Sequence, residues 1–226
     1  MSVALITGGS AGLGRALAAG LAGSGWDVVV TARDPDRLAA TAAELGPRVT
    51  AVPGDVTDPG HRDHLAEVVA DGLDLLVNNA STLGTSPLVP VQRLTSAVLR
   101  EVWETNVVAP MALIRGLRPV LTDGAAVIDI TSDAAVDHYE TWGAYAASKA
   151  ALEHLTLTLA AEDPGVRWYA VDPGDLRTQM QQDAFPGEDI SDRPLPETVV
   201  PAFLALLDQR PPSGRYRAAD LTLAAA

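Results

Sequence analysis

The chain of 226 residues carries 29 acidic against 16 basic side chains, a formal charge of −13, with 47% apolar residues and no cysteine. That balance excludes a nucleic-acid binder, which needs clustered Lys and Arg, and the lack of cysteine excludes disulfides, thiolate nucleophiles and structural zinc. The apolar fraction excludes a disordered chain, and the negative charge serves solubility, so a phosphate site here must be made by local groups.

The N-terminus, MSVALITGG, has no basic segment and runs straight into a glycine loop. It reads as a first strand at 3–7 rather than a signal peptide. An Ala/Leu-rich helix follows at 14–23, a β-branched strand at 27–31, a helix at 35–45 and a strand at 49–52. A helix at 60–70 and a strand at 73–77 precede a long helical stretch at 92–117, interrupted near Pro110. The remaining elements are a strand at 125–131, helices at 144–161 and 197–207, and strands at 166–171 and 214–218. No repeat or linker divides the chain, and no apolar run approaches the ~18 residues of a membrane span. One cytoplasmic domain spanning 1–226 is therefore expected. Strands apolar on both faces, alternating with helices, predict an α/β fold: a Rossmann-type doubly wound parallel sheet of about seven strands with helices on both faces. Ligands of such sheets bind beyond the carboxyl ends of the strands.

Every motif lies at such an end. Gly8, Gly12 and Gly14, with Ser10 and Leu13 between them, join the first strand to the first helix. Glycines there permit a tight turn and let backbone N–H groups meet a pyrophosphate, while the helix N-terminus adds partial positive charge. Tyr145 and Lys149 stand four apart on a predicted helix and so share a face. An ammonium beside a phenol favours the phenolate, so Lys149 is expected to lower the pKa of Tyr145 and suit it to proton transfer. Ser132 lies thirteen residues before that tyrosine and can hydrogen-bond the same substrate oxygen.

The spacing TGxxxGxG resembles the short-chain dehydrogenase/reductase family, and later segments extend the likeness over about 1–180. Asp55-Val56 matches the family's adenine contact, Asn79-Ala80 its NNAG segment, Asn106 its active-site asparagine and Tyr145-x-x-x-Lys149 its YxxxK motif. Pro173, Gly174 and Thr178 match the segment beside the nicotinamide. Two positions depart from the pattern: Ser81 stands for the glycine of NNAG, and Asp129 for a common Asn. The resemblance implies an oxidoreductase moving a hydride between a nicotinamide and a ketone, aldehyde or secondary alcohol. Tyr145 would be its acid/base, Lys149 would also hold the nicotinamide ribose, and Asn106 would anchor a water leading from Lys149 toward solvent. It also implies a homodimer or homotetramer paired through the helices at 92–118 and 144–161, where Leu152, Leu155 and Leu159 form a stripe. The apolar tail at 221–226 is a further surface that a neighbour would cover.

Cofactor choice rests on the end of the second strand. Thr31 and Ala32 occupy the places where an acid would select NADH, and Arg33 is the first charge. A guanidinium there pairs with a 2′-phosphate, so NADP(H) is expected, with NAD(H) as the alternative. Substrate contacts are expected from His138, Tyr139 and Trp142 in the loop before Tyr145, and from Met180 and Phe185 in an irregular lid at 179–196. His61, His64 and His154 have no partner at metal spacing and read as surface residues; no metal site is expected. Two other classes stay open: a family enzyme with a non-redox biosynthetic reaction, and a non-catalytic nucleotide sensor.

Overall fold

The computed structural model describes residues 2–221. Residues 222–226, most of the apolar tail, lie outside the described residues. Seven strands form one sheet: β1 (Val3–Thr7), β2 (Asp27–Ala32), β3 (Val49–Pro53), β4 (Leu73–Asn78), β5 (Leu121–Ile130), β6 (Arg167–Asp172) and β7 (Gly214–Arg217). All neighbours are parallel, in the order β3-β2-β1-β4-β5-β6-β7. The order reverses direction between β1 and β4. Helices leave the sheet on opposite sides of that point, which opens a crevice above the strand ends.

Because side chains alternate along a strand, each central strand feeds two cores. Ile6, Val77, Ile128 and Val171 pack with Leu17 of helix α1 (Gly12–Gly23), Leu38 of α2 (Pro35–Leu45) and Phe203 on the C-terminal side. Leu5, Leu76, Val127 and Trp168 face the other way, onto Leu65 of α3 (Pro59–Val68) and Leu113. Each fully buried aliphatic side chain contributes about 1.5–3 kcal/mol, offset largely by the entropy of ordering the chain.

The stretch expected as one helix broken near Pro110 is built differently. A 3-10 turn at Val91–Arg93 leads to α4 (Ser96–Trp103), a π turn at Glu104–Val108 and α5 (Ala109–Leu117). Pro110 has no N–H to give, and the chain absorbs this by widening the preceding turn, where the Ala109 N–H reaches the Glu104 carbonyl. The active-site strand is longer than expected, Leu121–Ile130, and the next helix, α6, spans Gly143–Glu162. The stripe expected on α6 is split: Leu152 is core, Leu159 packs on the second core, and Leu155 alone is exposed. The segment expected to be irregular opens instead with α7 (Gln179–Ala184), capped by the Thr178 hydroxyl, which accepts from the Gln181 N–H at 3.2 Å. α8 (Val200–Gln209) and β7 close the described fold. Among the described residues, no helix is long and apolar enough to cross a membrane.

Candidate active site

A cleft of about 860 Å³ runs across the carboxyl ends of the strands, from Arg33 and Asp55 at one end to Ser132, Tyr145 and Lys149 at the other. Gly8, Ser10, Gly12 and Leu13 line its middle. The glycines are required by crowding. A Cβ on Gly14 would sit 2.3 Å from the Gly8 carbonyl oxygen and 2.6 Å from Asn79 Nδ2, and Gly8 itself has φ +69°. The Asn79 amide donates to the Thr7 and Gly8 carbonyls at 2.8 and 3.3 Å, while the Asn79 and Ala80 N–H groups both donate to Thr7 Oγ1 at 3.0 Å. Asn79, expected to contact the cofactor, locks the loop from beneath. The N-cap of α1 is Ala11, with no side-chain bond and no acid in the first turn. The first N–H groups of a twelve-residue helix therefore face no competing side-chain acceptor, which fits a diphosphate.

At the outer end, Arg33 and Arg37 both border the cleft. Asp34 is used as the N-cap of α2, where its carboxylate accepts from the Arg37 N–H at 3.1 Å. Asp55 Oδ1 accepts from Thr57 N and Oγ1 at 2.9 and 2.8 Å. Burial alone would raise this carboxyl, but the two Thr57 bonds and the nearby Arg33 charge hold it below the usual range. The surface reading of His61 is corrected. The ring is buried on the inner face of α3, one turn before Leu65, with Nε2 2.7 Å from Thr31 Oγ1. It lies against Gly54, whose absent Cβ would meet the imidazole at 2.2 Å. Burial lowers the His61 pKa. The i,i+4 spacing between His61 and Leu65 is the sequence signal for an inward position, and the surface reading passed over it.

At the inner end, α6 presents Tyr145 and Lys149 to Ser132, which follows β5. Lys149 is buried; its Nζ donates to the Ile130 carbonyl at 2.8 Å and stands 5.5 Å from the centre of the Tyr145 ring. Burial brings its pKa down to about 8, against the opposing pull of the Asp129 carboxylate. The expected depression of Tyr145 is not found. Burial pushes the phenol well above its ordinary value; a hydrogen bond with Ser132 opposes this, and Asp172, Asp133 and Asp175 reinforce it. Desolvation of the phenolate and three facing carboxylates outweigh an ammonium already engaged by a carbonyl.

The two departures from the family pattern are accommodated. Ser81 Oγ donates to Asn106 Oδ1 at 3.1 Å. Asp129 is wholly buried and accepts from Asn78 Nδ2 at 2.7 Å and Thr156 Oγ1 at 2.6 Å, with burial raising its carboxyl pKa. Asn106 also accepts from the Thr82 N–H, and its amide donates to the Thr82 carbonyl and Ser148 Oγ, each at 2.9 Å. With these bonds its side chain is satisfied in clamping the 81–82 segment to α6, so a water relay through this residue would have to use its backbone.

Ser132 Oγ donates to Asp133 Oδ1 at 2.9 Å, and Tyr139 donates to Asp133 Oδ2 at 2.8 Å. Trp142 meets Tyr145 edge-on at 5.6 Å and Phe185 at 6.0 Å. Tyr139, Trp142, Met180 and Phe185 all line the cleft, as do Pro173, Gly174 and Thr178; His138 is exposed and is not among the lining residues. Leu83 and Asp133 also line it and were not anticipated. Asp133 was readable as the immediate neighbour of Ser132; Leu83 carries no local signal.

A family model described as short chain dehydrogenase matches residues 2–189. Sepiapterin reductase of Mus musculus is 34% identical over 200 residues, covering 80% of this chain and 77% of that protein. The uncharacterized oxidoreductase YciK of Escherichia coli K12 is 30% identical over 217 residues, covering 91% and 85%. Among solved structures, a short chain dehydrogenase from Shigella flexneri complexed with NADP superposes with a TM-score of 0.90 at 28% identity, covering 96% of this chain and 97% of that one. A second, from Escherichia coli CFT073 complexed with NADPH, gives 0.89 at 28% identity, covering 96% of each.

Proposed function

The chain belongs to the short-chain dehydrogenase family of oxidoreductases, and from that premise we propose that it is an NADP(H)-dependent carbonyl reductase or alcohol dehydrogenase with Tyr145 as its acid/base. The observation that carries this reading is the meeting of Tyr145, Ser132 and Lys149 at one end of a cleft whose middle is the crowded glycine loop. Backbone groups at Gly8, Ser10, Gly12, Leu13 and Gly14 would hold the diphosphate, with Arg33 and Arg37 toward the 2′-phosphate. Asp55 and Val56 would flank the adenine, and Asn79 and Ala80 its ribose side. Lys149 and Tyr145 would meet the second ribose, and Pro173, Gly174 and Thr178 the nicotinamide. NAD(H) in the same place is the alternative. When bound, NADPH supplies the hydride.

In this reading the chain's own groups handle the proton. Ser132 Oγ orients the substrate carbonyl oxygen, and Tyr145 donates its phenolic proton to that oxygen. With burial holding its pKa above the ordinary value, the phenol is protonated near neutrality, the form that donates in the reductive direction. Lys149, drawn down to about 8, can return a proton to the phenolate at modest cost. Leu83, Trp142, Met180 and Phe185 make one wall apolar and favour a carbonyl compound with an apolar or aryl substituent. The reading is tested by NADPH consumption against ketones, aldehydes, quinones and β-keto thioesters. Turnover of at least one of these classes is expected. A protein that binds NADPH yet oxidises it with none of them would be a sensor or a non-redox enzyme, and the proposal would fail.

The segment 179–196 is proposed as a substrate lid. Ser86 Oγ donates to the Asp183 carbonyl at 2.7 Å and Arg177 N–H to the Pro194 carbonyl at 2.8 Å, while Met180, Ala184 and Phe185 pack with Leu83, Ala134 and Tyr145 over the cleft. Amide exchange at 185–194 is expected to slow when NADP⁺ and a turned-over substrate are both present. Equal exchange in the free and ternary states would rule out closure.

A further inference from the structure

Beside the inner end of the cleft, where Ser132 and Asp172 line it, lies a partly buried ionic cluster whose arginine the proposed chemistry does not use. Arg215, on β7, donates from Nε to Glu153 Oε2 at 3.1 Å and from Nη2 to Asp172 Oδ2 at 3.3 Å. The same Nη2 lies 3.4 Å from the Ser132 carbonyl. Side-chain exposure is 23% for Arg215, 11% for Glu153 and 4% for Asp172. Each partner is itself anchored to the site. Glu153 is one turn beyond Lys149 on α6, and its Oε2 also accepts from Thr131 Oγ1 at 3.0 Å. Asp172 Oδ1 accepts from the Gly174 N–H at 2.9 Å.

We infer that Arg215 is a positioning residue for proton transfer: it ties the ends of β5 and β6 and the helix α6 to one guanidinium, and so sets where Ser132 stands relative to Tyr145. This rests on the acid/base reading of Tyr145. A fold held together for stability alone gains little from such a cluster, because apolar side chains of similar volume often replace buried ion pairs without loss. The arrangement does something apolar packing cannot. A planar fork with fixed donor directions holds three acceptors from three elements in one relative placement. It also neutralises Asp172, one of the carboxylates that face Tyr145 together with Asp133 and Asp175, while Lys149 is the cation over the ring.

The test is steady-state kinetics in both directions, with thermal unfolding and NADPH binding measured alongside, for wild type, Arg215→Met, Arg215→Lys and Glu153→Gln. Arg215→Met is expected to lower kcat by about 10- to 100-fold, as sub-ångström displacement of a reacting group does, with the KM for NADPH within about twofold of wild type. In the oxidative direction, which needs the phenolate, its pH midpoint should move upward, because removing a cation leaves Asp172 unopposed. Arg215→Lys should restore the midpoint but only part of kcat, since an ammonium replaces the charge and not the fork. Wild-type kcat and midpoint in Arg215→Met overturn the inference; so does a loss of activity that only follows loss of NADPH binding. If Arg215→Met does not fold, Glu153→Gln decides: a lower kcat with a downward midpoint supports the inference, and no change overturns it. Full activity in Tyr145→Phe would instead remove the reading beneath it.

Discussion

Tyr145→Phe is expected to lower turnover by at least about 10²-fold while NADPH binding stays within about threefold of wild type. The substitution removes one hydroxyl and keeps the ring. The edge-on contact with Trp142 and the packing against Leu83, Ala134 and Ala184 therefore remain, and folding should be unaffected. What is lost is the phenolic hydroxyl that supplies the proton in the proposed step, while Ser132 remains in the cleft lining to orient the carbonyl oxygen. Single-turnover oxidation of bound NADPH separates chemistry from product release. A rate within about threefold of wild type would end the assignment of Tyr145 as the acid/base.

Arg33→Ala is expected to cost about 10- to 100-fold in kcat/KM with NADPH and little with NADH. A charge-assisted bond to phosphate is worth roughly 1.5–3 kcal/mol, and each 1.4 kcal/mol is a factor of about ten. The adjacent carboxylate of Asp34 has a use of its own. Asp34 caps α2 through the Arg37 N–H, so its carboxylate is turned to the helix. Thr31, where an acid would favour NADH, is wholly buried and bonded to His61, so no carboxylate stands at that place for a ribose 2′-hydroxyl. Arg37 remains on the rim of the cleft and would keep part of the phosphate contact. Equal weakening of both cofactors in Arg33→Ala, or a wild type that prefers NADH, would refute the phosphate role.

Much of this site was legible in the sequence because its information is local. The glycine loop joins one strand to the next helix within a few residues, and its composition states what the backbone must do there. Tyr145 and Lys149 are one helical turn apart, so periodicity alone places them on one face. The β-branched run of β2 and the apolar residues on both faces of β1 and β4 announced a sheet covered on both sides, and the doubly wound sheet is what forms.

Tertiary structure decided whatever depends on residues far apart in the chain. Arg215 reaches Glu153 from 62 positions away and Ser132 from 83, and no local pattern in GRYR hints at either. Asn106 meets Thr82 and Ser148 only because the π turn, the loop after β4 and α6 are stacked in space. The sign of the Tyr145 shift belongs to the same class. Spacing put an ammonium beside the phenol and predicted a lower pKa, but burial and three carboxylates from β5 and β6 turns raise it. Periodicity reports which residues share a face; solvation and long-range charge depend on everything packed around that face, and only the folded chain supplies that.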